Sequence, residues 1–146
     1  MTKNRKDLKA TSLALLALVV LDVILIIVNL CVDGLPKMTD IPADWTEGMI
    51  KASAIVSLIL SFAVFIPQIY VSVKGIKIAN GAASGRAHII WAVILAIFAV
   101  ASTISYISAL TKVADATNAL GLAGAALDVV LFALYFISAR RVAAEG

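Results

Sequence analysis

The chain has 146 residues, of which 62% are hydrophobic and only 14% charged. A water-soluble domain of this length is nearer half apolar and a quarter charged, so the composition argues against an ordinary soluble fold and for a single membrane domain over 1–146. The net charge of +3 comes without the concentrated basic patch and base-stacking residues of a nucleic-acid binder, and the lone cysteine, Cys31, excludes an intrachain disulfide.

In chain order, Met1–Lys9 reads as a short, frayed basic lead-in. Four apolar runs of 21 to 23 residues follow: Ala10–Val32, Ala52–Val73, Ile89–Leu110 and Ala119–Ala139. Each can cross a hydrocarbon core of ~30 Å at ~1.5 Å per residue. The first run exceeds the ~7–15 residues of a signal core and no small-x-small site follows it, so it is expected to remain as a span. Leu30 before Cys31 argues against a lipidation site, which leaves Cys31 as an apolar filler.

Between the first two runs, Asp33–Gly48 carries a net charge of −3. Its Asp40-Ile-Pro42-Ala-Asp44-Trp45-Thr-Glu47 text has helix-start grammar, with Asp40 as cap, Pro42 in the first turn and Asp44 and Glu47 near the positive end of the helix dipole. The second helix is therefore predicted to begin near Pro42, with Trp45 anchoring at the interface. Inside it, Pro67 removes a backbone hydrogen bond and predicts a kink or hinge. The Lys74–His88 stretch, with Gly75, Gly81, Ser84 and Gly85, reads as a flexible connector. His88 reads as an edge residue beside Arg86 and Trp91. Thr111–Asn118 is short, so consecutive helices are expected to be antiparallel neighbours in an up-down-up-down, all-α bundle of four transmembrane helices.

Orientation follows from the basic residues. Lys3, Arg5, Lys6, Lys9, Lys74, Lys77, Arg86, Arg140 and Arg141 fall on one side; only Lys37, Lys51 and Lys112 fall on the other. This bias predicts both termini in the cytoplasm.

The chemistry rests on two residues. Asp22 and Asp128 are the only charged residues within the four apolar runs, and each sits near the midpoint of its run inside the shared text L-A-x-x-x-L-D-V-x-L. Helix one runs outward and helix four inward, so both carboxyls are predicted about one residue, ~1.5 Å, outside the midplane. A carboxylate at that depth is a functional hypothesis by default, and two that meet are expected to titrate as a pair. The repeated text in opposite directions also fits an inverted pair.

Helical spacing adds polar stripes. Thr11, Asp22, Asn29 and Asp33 share a face of helix one. Ser53, Ser57, Ser61, Gln68 and Ser72 share one of helix two; Ser102, Ser105, Tyr106 and Ser108 share one of helix three. Thr117, Gly121, Gly124, Asp128 and Tyr135 share one of helix four. Small residues and hydroxyls suit close helix packing, and Gly121-x-x-Gly124 reads that way. A polar core is predicted from Asp22, Asp128, Asn29, Ser57, Ser61, Gln68, Ser102 and Tyr135. One histidine and one cysteine do not make a metal cluster, and no P-loop, dinucleotide fingerprint or nucleophile–base pairing is present. Neither a cofactor nor enzyme activity is expected.

Tyr70–Leu95, YVSVKGIKIANGAASGRAHIIWAVIL, resembles the centre of small bacterial four-span membrane proteins of unassigned function. That resemblance implies a bacterial cytoplasmic-membrane setting. Phe65-Ile66-Pro67-Gln68 resembles the proline–glutamine signature of PQ-loop proteins and half-size sugar transporters, with Ile50–Arg141 supplying three spans around it and an extra first helix as a departure. Asp22, midway along helix one, is similar in position to the carboxylate of small multidrug transporters, which use glutamate there. The first expectation for function is a non-enzymatic accessory, assembly or immunity-type membrane component, working as a homo-oligomer or within a larger membrane complex. The alternative is a small-solute, proton or cation translocator using the paired aspartates.

Overall fold

A computed structural model describes residues 1–35, 41–112, 114 and 116–145. Four helices follow one another, and no strand occurs among the described residues: α1 (Lys3–Asp33), α2 (Glu47–Ala79), α3 (Ala87–Lys112) and α4 (Ala116–Ala143). All four are long and apolar enough to span a membrane. Their outward faces carry exposed Val20, Ile24, Ile59, Ile97 and Leu120, the side chains a lipid environment accepts.

Every helix is longer than its apolar run, because hydrogen-bonding ends extend it into polar sequence. The lead-in is not frayed. Thr2 caps α1 by accepting from the Arg5 N–H at 3.3 Å, and Leu8 is fully buried. α2 begins at Glu47 and not near Pro42: the Thr46 hydroxyl accepts from the Met49 N–H at 3.3 Å, whereas the Trp45 N–H closes a turn onto the Pro42 carbonyl at 3.1 Å. The expected cap Asp40 lies outside the described residues. At its other end α2 runs through Lys74 and Gly75 to Ala79, so half of the expected flexible connector is helix. It stops in a Schellman arrangement, with the Ala82 N–H on the Lys77 carbonyl at 2.8 Å and the Gly81 N–H on that of Ile78 at 3.0 Å. Gly81 has φ 76° there, the left-handed conformation that such a cap requires.

α3 packs most extensively on α4, then α1 on α2 and α1 on α4, and α2 on α3 less than these. One end of the bundle gathers both termini and the 80–86 connection. There the Glu145 carboxylate accepts from the Asn4 amide at 2.7 Å and from the Thr2 hydroxyl at 3.0 Å, and pairs with the Arg5 guanidinium at 3.7 Å. The buried residues concentrate toward this end: Leu8, Ser12, Leu15 and Val19 on α1; Val71, Ser72, Ile78 and Ala79 on α2; Ala92 and Leu95 on α3; Phe132, Tyr135, Ala139 and Val142 on α4. Of the first twenty residues of α2, only Ala54 is buried. Gly75 explains the asymmetry. It lets Ser12 and Tyr135 approach the α2 backbone so closely that a Cβ there would collide with both.

Candidate functional site

The clasp at Glu145 sets the register between α1 and α4. Leu8 and Val142 are each three residues from it, Ser12 and Ser138 seven, Leu15 and Tyr135 ten, and all six are buried. Continuing the same antiparallel register brings Asp22 and Asp128 level, each seventeen residues, or ~25 Å of helix, from the Arg5–Glu145 pair. Both residues are half-buried. No hydrogen bond or ion pair reaches either carboxyl among the described residues.

Of the other residues expected in a polar core, Gln68 and Tyr135 are buried, at 7% and 0% exposure. Tyr135 donates its hydroxyl to the Val71 carbonyl at 3.0 Å. Gln68 lies seven residues before Gly75, as Asp128 lies seven before Tyr135 on a helix running the same way, so the Gly75–Tyr135 contact puts Gln68 near the carboxyl level. Its Oε1 has no hydrogen-bond partner among the described residues. Asn29, Ser57, Ser61 and Ser102, by contrast, are exposed and are not in the interior of this chain. Ser61 donates its hydroxyl to the Ser57 carbonyl one turn back at 3.0 Å, which needs no neighbouring helix. The α2 stripe is therefore divided: its Gln68–Ser72 half packs inside, and its Ser57–Ser61 half faces out.

Pro67 does not interrupt α2, which is one continuous helix through it. Gly121 does pack, under the Tyr106 ring, but Gly124 has nothing within 4 Å of where a side chain would start. His88 is not an edge residue. It is 2% exposed and meets the Tyr135 ring edge-on, with centroids 6.0 Å apart. Neither ring nitrogen has a hydrogen-bond partner among the described residues.

Ser12, His88 and Ser138, which stripe reading missed, are thus buried together with Ser72 toward the Tyr135 end of the bundle. Ser12 and Ser72 are satisfied within their own helices, by the Leu8 carbonyl at 2.6 Å and the Gln68 carbonyl at 2.8 Å. The available signal was the 3–4 spacing of Leu8, Ser12, Leu15, Val19 and Asp22, which is hard to see in a helix apolar on all sides. No group of three or more His, Cys, Asp or Glu able to hold a metal occurs among the described residues. What the arrangement offers chemically is two half-buried carboxyls at one level of adjacent helices, without an ion-pair partner among the described residues, beyond a buried polar layer. No family model, curated protein or solved structure matches the chain.

Proposed function

We propose that this chain is a non-enzymatic, multi-pass membrane protein that exchanges protons or a small cation at the Asp22/Asp128 pair. The observation that supports this reading is the pair itself: two carboxyls level on adjacent antiparallel helices, with no Lys or Arg in the apolar runs. Two like charges in a poorly solvated site repel, and a proton or a bound cation relieves the repulsion. Gln68, near the same level with a carbonyl oxygen that has no partner among the described residues, adds a neutral acceptor for either. The protein works in a bacterial cytoplasmic membrane with both termini inside, as the basic residues and the resemblance of the Tyr70–Leu95 centre suggest.

Reconstitution into sealed vesicles tests this. Wild type is expected to carry a proton or monovalent-cation flux driven by a pH or ion gradient. Asp22→Asn and Asp128→Asn should each lower it by about a hundredfold, with insertion and unfolding temperature retained. Flux equal to that of empty vesicles, or unaffected by both substitutions, would remove the reading.

A second reading has its own support. Asn29, Ser57 and Ser102 are exposed along spans where hydrocarbon is a poor neighbour, which favours their burial against another copy or a larger membrane complex. An accessory, assembly or immunity-type role follows from that surface, and it is the reading left standing if no flux is found.

A further inference from the structure

The α3–α4 face carries a groove that the carboxyl pair does not use. Its apolar part is a hollow of about 330 Å³ floored by Ala92 and Ala96 and walled by Val100, Phe132 and Phe136. Past Phe136 it continues into a second hollow of about 470 Å³, where Arg86 and Arg140 are the only charged residues in the lining. Both volumes lie in the ~300–1,000 Å³ range of ligand sites. Small side chains open the groove: Ala92, Ala96 and Ala133 line it between the bulkier Ile97, Phe132 and Phe136.

We propose that this groove binds one anionic phospholipid, with an acyl chain along the alanines and the headgroup phosphate between Arg86 and Arg140. The dimensions fit. From Arg86 to Val100 is fourteen residues, ~21 Å of helix, which matches half of the ~40–45 Å thickness of a bilayer with its headgroups. The chemistry changes along that length as a lipid does, from hydrocarbon to two cations. A guanidinium presents a planar fork that matches phosphate oxygens two at a time. The Arg140 guanidinium lies 5.6 Å from the Phe136 ring centroid, so it is held where the two hollows join. Neither arginine forms an ion pair among the described residues. A free anion would account for the arginines alone and leave the apolar hollow unexplained.

Native mass spectrometry from mixed micelles holding equal phosphatidylglycerol and phosphatidylcholine decides the matter. Wild type should retain phosphatidylglycerol preferentially. The double variant Arg86→Gln/Arg140→Gln should lose about thirtyfold in that preference, the loss expected for two arginines near an anionic surface. Both positions are exposed, so this variant keeps the fold and carries the test even if a groove variant fails. Ala96→Phe fills the apolar hollow, leaves both arginines in place and should reduce retention of both lipids. Equal retention of the two lipids, or preference unchanged in the double variant, overturns the proposal. Displacement of the lipid by millimolar inorganic phosphate would overturn it in favour of a free-anion site. Disulfide-linked dimers of Ala96→Cys that exclude lipid would overturn it in favour of a second copy.

Discussion

At the scale of single residues, three helical glycines have different consequences. A Cβ at Gly75 would meet Ser12 Oγ and lie 2.7 Å from Tyr135 Cε2 and 2.9 Å from its Oη, in the most tightly buried part of the bundle. Gly75→Ala is expected to cost about 1–3 kcal/mol, as other overpacked cores do. Gly121→Ala meets the Tyr106 ring, but that ring is 37% exposed and can swing away, so the loss should be smaller. Gly124→Ala enters open space and should gain up to ~1 kcal/mol from helix propensity. Unfolding in detergent ranks the three, and a Gly75→Ala variant as stable as Gly124→Ala would mean that the close approach is not what holds the helices. Glu145 gives a pH prediction. The Asn4 hydrogen bond first, then Thr2 and Arg5, hold its carboxyl below the ordinary 4.5. A depressed carboxylate contributes its stabilisation above the unfolded-state pKa and loses it as pH falls through the folded one. Spin labels at Met1 and Ala144 should therefore move apart as pH drops below the ordinary carboxylate range. In Glu145→Gln they should stand apart at neutral pH and respond little to acid.

At the scale of elements, the existence of four helices was legible because a long apolar run in a polar chain has one common physical outcome. Their ends were not, because capping depends on which hydroxyl finds which N–H. Thr46 and Asp40 are both good caps by type, and only geometry chose Thr46. Pro67 is the element-scale test. It lacks an N–H for the Ala63 carbonyl, yet α2 continues through it. Pro67→Ala restores that hydrogen bond and should stabilise α2 by up to about 3 kcal/mol. If bending at Pro67 serves exchange at the carboxyls, the same variant will be more stable and slower in vesicle flux. Greater stability with unchanged flux would remove Pro67 from the working parts.

At the scale of the molecule, orientation follows from charge placement. Nine of the twelve basic residues lie at the end that gathers the termini and the 80–86 connection. Reporter fusions at both termini should read cytoplasmic, and a cysteine introduced at Asp44 should react with an impermeant reagent added outside. Labelling of that cysteine only after permeabilisation would invert the assignment.

The sequence alone determined that the chain is helical and apolar enough to span a membrane four times, because composition and run length set the solvent in which the helices are stable. It also singled out Asp22 and Asp128, since charge is rare within such runs. It could not determine which stripes face inward. In a helix apolar on all sides, periodicity carries little contrast, so Ser57, Ser61 and Ser102 looked as interior as Gln68. The tertiary structure decided that question through two local facts: the missing side chain at Gly75 and the clasp of Glu145 on Thr2, Asn4 and Arg5. Together they draw the helices close at one end, bury His88 and Tyr135 there, and set the register that brings the two aspartates level. Contacts of that kind join residues up to 143 positions apart, and local sequence holds no record of them.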